Sequence, residues 1–115
     1  MASIKTTELK DKDIIILSPK GNFVGGEETD ELRDSIKKYS ELGNKNLIID
    51  LGDVLYLNST ALGVLISAHA NYSKREGKIK LCQLNKNLEN LFVITKLALI
   101  FDSFSTQEEA IKSFG

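Results

Sequence analysis

Apolar positions along this chain alternate between two spacings, and the changes of spacing divide it into strands and helices. Residues 14–17 form an unbroken β-branched run, and Ser18-Pro19 with Gly21 predicts its end as a strand. A partner strand near residues 3–9 precedes it, joined through a hairpin at residues 10–13. Over residues 27–42 the period becomes helical, with Thr29, Leu32, Ile36 and Tyr39 on one face. Glu27, Glu28, Asp30 and Glu31 open that helix, Lys37 and Lys38 lie in its later turns, and Gly43-Asn44 stops it, all as the helix dipole favours.

Leu47-Ile48-Ile49-Asp50-Leu51 reads as a strand covered on both faces. Val54-Leu55-Tyr56-Leu57 is a second apolar, strand-like stretch, which breaks into Asn58-Ser59-Thr60. Residues 61–72 are predicted helical, with Leu62, Leu65, Ile66 and His69 on one stripe and Ala61, Val64, Ala68 and Tyr72 on the next. Lys74, Arg75 and Gly77 close it. A strand over 79–84 follows, then a helix over 87–95 with Leu88, Leu91, Phe92 and Thr95 inward, then a short strand near 100–104. Ser105 and Glu108 are spaced as a capping box for a last helix. Strands alternating with helices after a hairpin predict an α/β layer structure with a mostly parallel sheet, in which function gathers where strands feed helices.

A length of 115 residues predicts one domain, spanning 1–115, with no linker, repeat or low-complexity segment. A net charge of −1 gives no footprint for nucleic acid or an anionic membrane. The 15 basic residues are unevenly placed, none falling between Lys45 and Lys74. The pattern contains no membrane-length apolar run and no signal-peptide pattern, so a cytoplasmic location is expected. The single cysteine, Cys82, lies in a strand-like run and suits a reducing compartment.

The turn at Asn58-Ser59-Thr60 is the place where a hydroxyl is set up for chemistry. Three short polar residues cap a helix well, which is the plain reading. Beyond that, Ser59 falls in a first helical turn, where unpaired N–H groups and the dipole favour an anion. Small Ala61 and Gly63 leave room for close approach by another surface. Catalysis is a poor fit: His69 lies ten residues on, about 15 Å along the same helix, out of reach as a base for Ser59. One histidine and one cysteine exclude the common zinc sites, so neither a metal nor a cofactor is expected. Gly25-Gly26 lacks the residues of a phosphate loop and reads as a turn into the helix. The acidic cluster 27–31 reads as solvated charge, and the glycosylation patterns at Asn58 and Asn71 carry no weight without a secretory signal.

Taken in order, these segments resemble the STAS domain family, and within it the bacterial anti-sigma factor antagonists. Gly21-Asn22-Phe23 is similar to the family's glycine turn after the second strand, and Leu47–Leu51 to the strand before its phosphorylation loop. The run from Val54 to Leu65 resembles the pattern aromatic, apolar, Asp-Ser-Ser/Thr-Gly-Leu-Gly. Thr95-Lys96-Leu97 and Ile100-Phe101 before residues 105–110 match the family's tail. Asn58 stands where the family has aspartate, Ala61 and Lys96 where it has glycine, and Val24 where an acidic residue is common.

The resemblance implies an α/β STAS fold with a mixed, mostly parallel sheet of roughly four to five strands and about four helices. It implies a regulatory protein rather than an enzyme, with Ser59 phosphorylated by an anti-sigma factor that is itself a serine kinase. A metal-dependent serine phosphatase would reset it, and the chain would be a monomer or weak homodimer. The partner-binding residues carried over are Asn22, Phe23, Val24, Tyr56, Asn58, Ser59, Thr60, Ala61 and Leu62. The alternatives are a constitutive STAS scaffold or transporter-accessory module without phospho-regulation, and, less well matched, a nucleotide-binding module.

Overall fold

The computed structural model describes residues 4–115. Strand β1 (Ile4–Leu9) pairs antiparallel with β2 (Ile14–Phe23), placing Ile4 opposite Pro19 and Leu9 opposite Ile14. The connecting turn is the predicted one, closed by Lys12 N donating to Leu9 O and by Asp13 at φ 56°. Ser3, expected in the first strand, lies outside the described residues.

β2 runs ten residues, past the Ser18-Pro19 and Gly21 at which its end was predicted. The reason is an exchange of partners. Residues Ile15–Leu17 pair in parallel with Leu47–Ile49 of β3 (Asn46–Asp50), and Lys20–Phe23 pair with β4 (Asp53–Leu57). Pro19, which has no N–H to give, falls in the gap between these two ladders. Gly21, at φ 111°, sits at the β-bulge where the second begins.

The remaining elements are α1 (Glu27–Glu41), α2 (Ser59–Lys74), β5 (Lys78–Cys82), α3 (Lys86–Ile94), a 3-10 turn (Leu97–Leu99), β6 (Asp102–Phe104) and α4 (Gln107–Lys112). The sheet order is β1-β2-β3-β5-β6, with β4 beside the second half of β2. All pairings except β1–β2 are parallel, so the sheet is mixed and mostly parallel as expected, with six strands. The extra strand is the apolar stretch leading to Asn58.

Alternation along the central strands separates two cores. Leu17, Leu47, Ile49 and Leu81 meet Leu32, Ile36, Leu65, Tyr72 and Phe92 of the helices on one face. Ile14, Ile16, Ile48 and Cys82 meet Ala110 of α4 on the other. β3 is therefore buried on both sides, which is why its sequence shows no alternation. The buried end of α2 is fastened by Tyr72, whose hydroxyl donates to Asn44 Oδ1 at 2.8 Å while Arg75 lies over its ring at 4.8 Å. A Cβ on Gly77 would come within 2.9 Å of Lys45 O, so only glycine allows β5 to start there.

Several local expectations shift. α2 begins at Ser59 and ends at Lys74, longer than predicted, with Ile66 exposed. Thr95 faces outward and returns its Oγ1 to Leu91 O at 2.7 Å, ending α3. α4 is capped one residue later than predicted: Thr106 Oγ1 accepts from Glu109 N, and Glu109 Oε1 accepts from Ser105 N. His69, on the predicted stripe with Leu62 and Leu65, is half-buried and packs edge-to-face on Phe101 with ring centres 5.3 Å apart.

Candidate docking and modification site

β2 and β4 run in parallel and end side by side, Phe23 opposite Leu57. Their exits are joined by Asn58 N donating to Phe23 O at 3.0 Å. The loop at residues 24–26 thus lies against the first turn of α2. Gly25, at φ 92°, is where they meet: a Cβ there would sit 3.5 Å from Thr60 Cβ and 3.7 Å from Asn58 Nδ2. Gly25 N donates to buried Thr29 Oγ1 at 2.9 Å, which fixes the loop to α1.

Asn58 is the N-cap of α2, as its sequence position predicts. Its Oδ1 accepts from Ala61 N at 3.0 Å, and its carbonyl takes the first helical bond, from Leu62 N, at 2.9 Å. Ser59 and Thr60 occupy the first two helical positions with exposed side chains. Their own N–H groups precede the first internal bond and are available to water or an anion.

The expected contact residues divide by side. Asn22, Val24, Tyr56, Ser59 and Thr60 are exposed and Asn58 is half-buried. Phe23 and Ala61 are fully buried and Leu62 is 8% exposed. These three side chains lie beneath the surface as supports: Phe23, the last residue of β2, points into the main core, and in α2 consecutive residues turn by about 100°, so two outward residues at 59 and 60 carry Ala61 and Leu62 inward. The structure adds Leu55, which the sequence pattern alone did not single out. Gly21 pairs with Val54 and Asn22 with Tyr56, so Leu55 is the extra residue of the bulge. Val54 and Leu57 point in, while Leu55 and Tyr56, 66% and 51% exposed, both point out. The lack of alternation in Val54-Leu55-Tyr56-Leu57 was the available signal.

Exposed Val24, Leu55 and Tyr56 lie on the β2 exit and the β4 strand that lead to this junction, and Thr60, next to Ser59, lines a groove of about 530 Å³ between α1 and α2. Ile36, Val64 and Ala68 line that groove, with Arg33 and Lys37 on its rim. Arg33 pairs with Asp30 on its own helix at 3.1 Å. The first turn of α2 carries no acidic residue. Among the described residues no three His, Cys, Asp or Glu side chains converge as a metal site, and no helix is long and apolar enough to cross a membrane.

Such an arrangement, a capped turn with outward hydroxyls at a junction flanked by exposed apolar residues, can bind a partner and accept a charge. The chain belongs to the STAS domain family, whose pattern matches residues 7–110. Within that family it is 36% identical over 81 residues to the anti-sigma-B factor antagonist of Bacillus subtilis (strain 168), covering 70% of this chain and 73% of that protein. Its fold matches a structure from Thermotoga maritima described as a candidate anti-sigma factor antagonist, with TM-score 0.88, 21% identity, and 96% and 93% of the two chains covered. It also matches the phosphorylated form of the Bacillus cell fate determinant SpoIIAA, with TM-score 0.76, 14% identity, and 97% and 99% covered.

Proposed function

We propose that this chain is an anti-sigma factor antagonist, a non-catalytic cytoplasmic switch with Ser59 as its phosphate acceptor. The observation that carries this reading is the exposed Ser59 hydroxyl at the first position of α2, at a junction whose flanking residues Val24, Leu55 and Tyr56 are also exposed. Unphosphorylated, the exposed side chains of Val24, Leu55 and Tyr56 dock against an anti-sigma factor that is also a serine kinase. A phosphate on Ser59 adds about 1.5–2 negative charges at the centre of that surface. The chain itself tolerates the charge, because it arrives at a helix N-terminus beside free N–H groups. Desolvating it against a partner without a matching donor costs several kcal/mol, so the complex fails while the fold survives. A metal-dependent serine phosphatase restores the docking state. Asn58 keeps the cap although it lacks the carboxylate that the resemblance places there.

Incubation with each anti-sigma factor kinase of the host and ATP, followed by mass-spectrometric site mapping, tests the reading. Modification at Ser59 is the expected result; modification only elsewhere, or none, rejects it. The loss of that carboxylate at Asn58 favours one competing reading, a constitutive STAS docking module. It requires partner binding that is indifferent to Ser59→Asp.

A further inference from the structure

The second face of the sheet carries a cation that the docking site does not use. β5 alternates, so Ile79 and Leu81 enter the main core while Lys80 and Cys82 face α4. Lys80 is only 6% exposed. Its ammonium donates to Ser113 O at 3.0 Å and Ser113 Oγ at 2.9 Å, and lies 4.4 Å from the Phe114 ring centre and 5.8 Å from that of Phe104. Those hydrogen bonds go to neutral oxygens, so the charge is covered without being neutralised by them. Burial, reinforced by Lys78 and opposed by Asp102, holds the ammonium below the usual lysine range.

The element that covers it is slight. α4 has six residues and buries Ala110 fully, with Ile111 and Phe114 half-buried against Ile14, Ile16, Ile48 and Cys82. Its other tie is Gln107 Nε2 donating to Asp50 Oδ2 at 2.7 Å. None of these apolar side chains belongs to the larger core under α1, α2 and α3. Opening α4 therefore breaks the small cluster alone, and it returns water to the Lys80 ammonium. That regained hydration offsets part of the cost of exposing the apolar side chains.

We propose that α4 with Phe114 is a strap that opens from the sheet while the rest of the fold stays closed, and that the buried charge of Lys80 sets how readily it opens. Opening bares a strip of Ile14, Ile16, Ile48 and Cys82. Elements held by few apolar neighbours are the ones that open below the global unfolding transition.

Cys82 supplies the readout. Burial, and then the Asp50 carboxylate beside it, push its thiol up to about 12, so it reacts only when uncovered. Labelling of the full chain by an aromatic disulfide reagent is followed in low guanidinium, beside circular-dichroism unfolding. The expected result is labelling with a weaker denaturant dependence than the global transition. Ile36→Val weakens the main core and lowers the folding constant about fivefold, yet leaves the labelling rate within about twofold. A parallel fivefold rise means that Cys82 is reached only through global unfolding, which overturns the strap. Lys80→Met slows labelling about tenfold by removing the buried charge, and faster labelling overturns its assigned role. Phe114→Ala, which keeps Lys80, accelerates labelling about tenfold. An unchanged rate there overturns the strap as well.

Discussion

Two helices in this fold begin in the same way and face different surroundings. Asn58 caps α2 through Oδ1 to Ala61 N at 3.0 Å, and Asn85 caps α3 through Oδ1 to Leu88 N at 2.8 Å. After Asn85 come Lys86 and Asn87, and its amide also donates to Val54 O at 3.2 Å, tying α3 into β4. After Asn58 come Ser59 and Thr60, both exposed, and the strand ends that lead to them carry exposed Val24, Leu55 and Tyr56. The cap is thus a property of the fold, and both helices need it. What the next two residues offer, and to whom, is where the two ends part.

The sharpest way to break this comparison is to put the same charge at both. Ser59→Asp is expected to weaken binding to the cognate anti-sigma factor at least a hundredfold, about 3 kcal/mol, by isothermal titration. Lys86→Asp, at the equivalent position of α3, should change the affinity by less than about twofold, as a charge outside the interface does. Equal losses would show that net charge governs binding, and the distinction between the two helix starts would fall. Both variants should melt within a few degrees of the parent, because each adds an acid at a helix N-terminus.

The far end of α2 sharpens the contrast with its exposed start. Burial pushes the Tyr72 phenol from its ordinary 10 up to about 12, against the opposing pull of Arg75. The neutral phenol is the native form, so the stability it contributes is complete below pH 10 and is lost as pH rises from 10 toward 12. Urea midpoints should fall across that window by an equivalent of up to about 2–3 kcal/mol. Tyr72→Phe should flatten the fall, at the expense of the Asn44 bond. Smaller effects separate the caps: Asn58→Ala should cost about 1 kcal/mol, and Asn85→Ala about 2, since it also releases the Val54 carbonyl. Equal costs in urea titration would mean that the tie to β4 contributes nothing.

Much of this was readable from the sequence wherever one local rule acted alone. The helical stripe Thr29, Leu32, Ile36 is the buried face of α1, and Asn58 caps as its position predicts. Reading failed where a second partner intervened. Pro19 and Gly21 punctuate a ladder, yet β2 passes through both because it changes neighbours there. Ser105 and Thr106 each have a glutamate three residues on, so the capping pattern fits either register, and only the path of the chain out of β6 selects Thr106. At the site itself, the resemblance pointed to residues along the sequence and could not give their sidedness. Phe23, Ala61 and Leu62 turned inward, and the bulge turned Leu55 outward.

The smallest predicted effect concerns how the two helices end, and there they agree. α2 leaves through Glu76 at φ 62° and α3 through Lys96 at φ 65°, both in the left-handed region that favours glycine. A side chain in that conformation costs about 1 kcal/mol or more, while glycine returns part of the gain through the greater freedom of its unfolded chain. Glu76→Gly and Lys96→Gly should therefore each stabilise by about 0.5 kcal/mol in urea titration. The resemblance expects glycine at Lys96, so a larger gain there than at Glu76 would show that Lys96 is held under more strain. Neither change lies at Ser59, and partner affinity should be unmoved. If Lys96→Gly instead weakens binding, the docking surface extends to the exposed Ile94 and Leu99 that flank this turn, and the start of α2 would not be the whole of it.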